Sequence, residues 1–185
     1  FHASSLPQRK YDVDKARFYA KKAGGIKVKL SAADAAFPGA VDAAVLYKEY
    51  AAAAGIEIEV VREPNDGYWK NVWLKKPWGA CYWGGRPTED WMFSTTHYSG
   101  ADWNDTHFKN EQFDKWLIEA RAETNQNKRR QLYYEMQKMV SDEGGTVVPM
   151  FANYVFAAHK NVQHGTMAGN WMMDGNKFHE RWWFA

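Results

Sequence analysis

Several residue sets in this 185-residue chain have types that could do chemistry. Glu89 and Asp90 are adjacent carboxylates, and two positioned carboxylates are the minimum for general acid–base hydrolysis. Thr88 precedes them and gives them a second reading. A threonine followed by acids is the signature of a capped helix start, whose dipole favours negative charge in the first turn. Six histidines, at positions 2, 97, 107, 159, 164 and 179, form neither H-E-x-x-H nor a Cys/His set at zinc spacing. They are expected to be surface or locally bonded residues, and no metal site is expected. Cys81, the only cysteine, excludes an intrachain disulfide. It has no nearby histidine or nucleophile-elbow context, so a buried inert thiol is expected. Gly84–Gly85 lacks the Gly-Lys-Ser/Thr that completes a phosphate-binding loop. Asn104-Asp105-Thr106 matches a glycosylation sequon, which in a chain of this length is expected by chance. No cofactor is expected.

Binding chemistry survives this elimination. The stretch YWGGRPTEDWMF, residues 82–93, joins flat aromatic faces to two glycines and an arginine. Glycine lets a ligand approach the backbone, and a guanidinium pairs with a carboxylate or stacks on a ring. The whole chain is unusually aromatic, with ten Trp, ten Tyr and ten Phe, and such side chains suit ligand walls as well as cores. Trp83, Gly85, Arg86, Asp90, Trp103 and Asn104 form the candidate ligand-binding set. The alternative is that Trp83, Trp91 and Trp103 are core residues and Arg86 a surface charge.

Charge and hydropathy narrow the partners. A net charge of +2 is too small for a nucleic-acid groove, and Lys128-Arg129-Arg130 reads as a solvated helix face. No apolar run approaches membrane-spanning length.

The elements that must position these residues are legible from periodicity. Residues 12–24 read as a helix capped by Asp12, with a stripe of Ala16, Tyr19, Ala20 and Ala23. Lys27–Leu30 alternates like a strand. Residues 39–54 read as a helix whose stripe is Ala43, Leu46, Tyr47, Tyr50, Ala53 and Ala54, ended by Gly55. Ile56–Val61 is a strand, Asp66 starts a short helix carrying Tyr68, Trp69, Val72 and Trp73, and Gly79–Trp83 is a third strand. This order predicts an α/β layer of parallel strands with crossover helices. Lys27/Lys29 and Glu57/Glu59 alternate with apolar residues, so one sheet face is incompletely covered or at an edge. Residues 94–109 read as an irregular loop. Two helices follow, striped by Phe113, Trp116, Leu117 and Ala120 and by Leu132, Met136, Met139 and Val140. Gly144–Gly145 end the second, and Thr146–Phe151 reads as a strand with Pro149 marking an edge. Residues 157–185 show no helical period and little means of burying Trp171, Trp182, Trp183 and Phe184.

Several segments together carry a family resemblance. They are LPQRKYDVDKARFYAKKAG, AGIEIEVVREPNDGYWKNVW, YWGGRPTEDWMFS, GADWNDTHFKNEQFD, KRRQLYYEMQKMVSDEGGTVVPMFANY and ERWWFA. With them the chain resembles the C-terminal part of the peptide-type, family 5 substrate-binding proteins of ABC importers. The resemblance implies a periplasmic-binding-protein-like lobe, a fragment of a two-lobe clamshell working in the periplasm or tethered outside the membrane. It implies that residues 1–150 belong to the second ligand-binding lobe, that 151–156 cross the hinge, and that 157–185 belong to the other lobe. The implied partners are a peptide or small polar solute, an ABC permease and the missing lobe, with no chemistry performed. By the best match, the resemblance also implies that Gly85 stands where peptide binders carry an aspartate for the ligand's amino group. Arg86 then points to an anionic or hydroxylated ligand, with Trp83 and Trp103 as walls. Two further readings stay open: a small hydrolase using Glu89 and Asp90, and an interaction module whose aromatic 157–185 segment drives self-association.

Overall fold

The computed structural model describes residues 1–185, and the chain divides into two compact units. One unit is Ser5–Trp83. The other joins Phe1–Ser4 to Gly84–Ala185. No helix is long and apolar enough to cross a membrane.

The Ser5–Trp83 unit runs α1 (Val13–Lys22), β1 (Ile26–Ala32), α2 (Ala40–Ala52), β2 (Ile56–Arg62) and α3 (Tyr68–Asn71). Asp12 caps α1 by accepting from the Lys15 amide at 2.9 Å. Strands β1 and β2 pair in parallel from Ile26↔Ile56 to Ala32↔Arg62, with α2 as the crossover. The register explains the charged alternation. Lys27 faces Glu57 and Lys29 faces Glu59, and the two pairs close at 2.8 and 3.1 Å on an exposed face. The other face packs Leu30, Ala32 and Ile58 against Ala44 of α2.

Helix α2 buries a different stripe from the one its sequence suggests. Ala40 and Ala44 are buried, Val41 and Ala51 pack beside them, and Leu46 and Tyr50 are exposed. Alanines let a helix axis come close to the strands, whereas the bulky face would hold it off. Gly55 turns the chain into β2 at φ 75°, a conformation costly for residues with a Cβ.

The expected strand Gly79–Trp83 is reduced to one parallel bridge, Ser31↔Gly79. Ser31 N donates to Trp78 O at 3.1 Å and Ala80 N donates to Ser31 O at 2.8 Å. The ladder stops there because the Tyr68 hydroxyl occupies the Ala80 carbonyl, its next acceptor, at 2.7 Å.

The second unit holds α4 (Glu89–Thr96), α5 (Glu111–Ala122), α6 (Gln126–Glu143), β3 (Val162–His164), α7 (Met172–Asn176), α8 (Phe178–Arg181) and β4 (Trp182–Phe184). Thr88, Asn110 and Asn125 cap the first three helices through their side-chain oxygens. Helix α4 therefore takes residues 94–96 out of the expected loop. The core here is Phe93, Phe108, Phe113, Leu117, Ala120, Tyr133 and Met136, in which Phe113 meets Phe93 and Phe108 edge-on at 5.3 and 5.4 Å. Full burial of side chains this large is worth about 1.5–3 kcal/mol each.

The expected strand 146–151 does not form. Those residues are exposed and unpaired, and Pro149 offers no N–H for a ladder. Beyond them β3 and β4 pair antiparallel, from Val162↔Phe184 to His164↔Trp182. Met173, Asp174, Gly175 and Asn176 are all left-handed.

Candidate functional site

The candidate residues fall on both units, and each unit presents its own surface. In Ser5–Trp83, α3 follows the carboxyl end of β2, and residues 80–83 run on past the Ser31 bridge near the carboxyl end of β1. Five aromatic rings gather there. Trp69 meets Tyr68 and Tyr82, each at 5.6 Å, and Trp73 at 5.9 Å, while Trp73 meets Trp83 at 6.2 Å. Trp83 is half-buried at the end of this chain of rings. Tyr68 is the buried anchor. Burial pushes its hydroxyl up to about 12, so it remains a donor to the Ala80 carbonyl across the neutral range.

In the other unit, Arg86 curls onto its own loop. Its Nη1 donates to the Gly84 carbonyl at 2.8 Å, and its guanidinium lies 5.8 Å from the centre of the Trp91 ring. Gly85 is exposed, and a Cβ placed on it would meet nothing within 4 Å, so the position is open. Asp90 accepts from Arg121 Nε at 2.8 Å and from the Tyr133 hydroxyl at 3.3 Å. Glu89 lies 2.6 Å from the Phe1 ammonium. Together Thr88, Glu89, Asp90, Arg121, Arg129 and Tyr133 line, with Phe1, a cavity of 320 Å³. Burial, and then the Asp90 charge, raise the Tyr133 hydroxyl above its ordinary value.

Trp103 is exposed on the loop between α4 and α5. Asn104 beside it is only 6% exposed, and its side chain staples that loop. It donates to the carbonyls of Phe108 (2.6 Å) and Tyr98 (3.3 Å) and accepts from the Phe108 amide (3.0 Å) and the Thr106 hydroxyl (3.3 Å). Its amide nitrogen is therefore engaged inside the loop, which is not how a sequon asparagine must be presented. Of the predicted set within this unit, Asp90 alone lines the cavity.

Sequence reasoning missed Arg121 and Tyr133 as partners of Asp90, and Arg129 as a further wall of the cavity. Arg129 and Tyr133 share the i, i+4 spacing of one face of α6, the one signal available for grouping them. A second cavity, of 590 Å³, is lined by Tyr154, Phe156, Met167, Trp171 and Asp174 among others. Asp174 is buried and accepts from the Ala168 amide at 2.6 Å and Trp182 Nε1 at 3.2 Å, with Arg181 at 3.1 Å. No group of three or more His, Cys, Asp or Glu side chains is placed to hold a metal ion.

No protein-family model and no curated protein matches the chain. Solved structures do. The oligopeptide-binding protein AppA from Bacillus subtilis, in complex with a nonapeptide, matches 97% of this chain over 39% of its own length, at 17% identity and TM-score 0.65. NikZ from Campylobacter jejuni, in complex with Ni(L-His), matches 75% of this chain over 32% of its own, at 20% identity and TM-score 0.61. The periplasmic binding protein DppA from Helicobacter pylori, in complex with the peptide STSA, matches 75% over 28%, at 19% identity and TM-score 0.57. The chain has the fold of part of these ABC-transporter binding proteins and spans about a third of their length. At the level of fold, the resemblance read from the sequence holds.

Proposed function

We propose that this chain is part of the extracytoplasmic solute-binding component of an ABC importer. The component captures a peptide or other small polar solute between two lobes and delivers it to a permease, without chemistry. The observation that carries this reading is the likeness to AppA of Bacillus subtilis along 97% of the chain, over only 39% of that protein. Residues 1–150 would then belong to one lobe, 151–156 to the hinge crossing and 157–185 to the other lobe. The extended, exposed backbone of 145–156 suits a crossing segment. Trp83 on one unit, and Gly85, Arg86, Asp90 and Trp103 on the other, remain proposed ligand-facing residues, with Trp83 supported by its place past the sheet's carboxyl edge; Asn104, buried and bonded within its loop, would support Trp103 rather than face the ligand. Binding is favoured over hydrolysis because Asp90 is held by Arg121 and Tyr133 rather than presented to solvent.

Mass spectrometry of the full-length protein after gentle purification tests the reading, together with small-angle scattering before and after ligand addition. The expected result is a retained small molecule and a smaller radius of gyration when it binds. Ester or glycoside turnover abolished by Glu89→Gln or Asp90→Asn would overturn it in favour of the hydrolase.

A further inference from the structure

The rings at the sheet edge of Ser5–Trp83 form more than one wall. Trp69 and Tyr82 stand nearly perpendicular, at 81° with centroids 5.6 Å apart, and Trp69 and Trp73 stand at 79°. The result is a right-angled aromatic corner. It is also open, since Tyr82 is 63% and Trp69 39% exposed. Large rings left this accessible beside one another need a covering group, because exposed aromatic surface is costly in water.

The polar edges of the corner indicate what kind of group. Trp69 Nε1 and the Tyr82 hydroxyl make no hydrogen bond within the protein. An indole N–H donates, and a phenol both donates and accepts. At the neighbouring edge Lys76 pairs with Glu63, and Glu63 also accepts from the Ser31 hydroxyl at 2.8 Å. The corner thus offers two ring faces at right angles with neutral donors on their rims. A pyranose ring has the complementary form: an apolar face of C–H groups and a rim of neutral hydroxyls that both donate and accept. A peptide, by contrast, brings two charged termini, and the three rings themselves supply a partner for neither; the charge that α3 adds beside them is the exposed Lys70.

We propose that Trp69, Trp73 and Tyr82 form a stacking subsite for a neutral sugar ring, so that the solute this protein takes is an oligosaccharide. The inference rests on the solute-binding reading above and narrows its ligand. The anchor is α3: Trp69 lies in it, Trp73 stands in the turn that follows it, and buried Tyr68 ties that helix to the Ala80 carbonyl. Trp69 is therefore held by a helix tied to the sheet edge, and its ring contacts with Trp73 and Tyr82 gather the other two rings around it.

The test is isothermal titration of the full-length protein with cellotriose, maltotriose and chitotriose, with trialanine and triphenylalanine as peptide probes. Trp69→Ala, Trp69→Phe and Tyr82→Ala are titrated alongside, each checked for an unchanged thermal midpoint. The expected result is binding of at least one saccharide, about tenfold or more weaker in Trp69→Ala and Tyr82→Ala and largely restored in Trp69→Phe. Indole emission should shift to the blue on binding and lose that shift in Trp69→Ala. Peptide binding without saccharide binding would overturn the sugar assignment while leaving the solute-binding reading standing. Saccharide binding undiminished in both alanine variants would overturn the corner as the subsite. Binding of none of these probes, with no change in scattering, would overturn the inference and count against the reading beneath it.

Discussion

Arg121 Nε lies 2.8 Å from the Asp90 carboxylate, and the Tyr133 hydroxyl reaches the same oxygen at 3.3 Å. Helices α5 and α6 are thereby tied to the first turn of α4. The pair is partly exposed, so solvent screens it. A double-mutant cycle of Arg121→Ala with Asp90→Ala, followed by urea unfolding, should give a coupling of about 0.5–1 kcal/mol. Coupling indistinguishable from zero would show that the ion pair does not hold the helices together.

Tyr68→Phe removes the hydroxyl that satisfies the Ala80 carbonyl at the sheet edge. Leaving that half-buried carbonyl without its partner costs about 1 kcal/mol, which chemical denaturation should show. The same residue sets an alkaline limit. Its hydroxyl is pushed up to about 12, so between the ordinary tyrosine value near 10 and that point the folded protein holds a proton that the unfolded chain releases. Stability from this group is complete below pH ~10 and declines as pH rises towards 12. Tyr68→Phe should flatten that decline; an unchanged alkaline profile would refute the assignment.

His97 is buried among Phe93, Phe108 and Phe113, with its Nδ1 2.6 Å from the Thr96 hydroxyl and its Nε2 without a partner. Burial lowers its affinity for a proton, and Asp105 opposes this only in part. The unfolded chain then protonates first as pH falls below about 6.5. Stability from His97 is full above that pH and lost below it. Thermal midpoints measured between pH 7.5 and 5 should fall less steeply in His97→Phe than in the parent, and parallel slopes would argue against the mechanism.

Asn104 holds the α4–α5 loop through both ends of its amide. Asn104→Ala strands the Phe108 amide and carbonyl and should cost about 1–3 kcal/mol. Asn104→Asp keeps the acceptor but loses the donor to Phe108, so it should fall between. Hydrogen exchange at Phe108 reads the effect directly, and protection unaltered in Asn104→Ala would contradict it.

Phe151, Val155 and Phe184 are among the most exposed apolar residues of the chain. The 185-residue chain by itself should self-associate through this segment at high concentration. Sedimentation should show a concentration-dependent rise in mass, weakened by Phe184→Ser. A single monomeric species at all concentrations would remove the segment as an interface.

Local signals carried much of the fold. Asp12 and Thr88 announced helix starts because a short side chain with an oxygen can reach the free amides of a first turn. The alternation of Lys27, Lys29, Glu57 and Glu59 announced two strands with one open face, because strand side chains repeat every two residues. The stripes of α5 and α6 were legible for the same reason at helical period.

What the period cannot carry is a choice among equally apolar faces or among partners distant in sequence. Helix α2 had alanines and large side chains on different faces, and only the closeness of β1 and β2 decided for Ala40 and Ala44. The strand at Gly79–Trp83 ended after one bridge because a tyrosine twelve residues away took its next acceptor. Asp90 found Arg121, and Trp69 found Tyr82, through chain reversals that no local pattern encodes. Sequence alone determined helices α1, α2, α5 and α6, the β1–β2 strands and which segments bear aromatic faces, since those follow from side-chain period and type. The tertiary structure decided which of those faces stay open and which charges are already paired, because both depend on what the rest of the chain brings within a few ångströms.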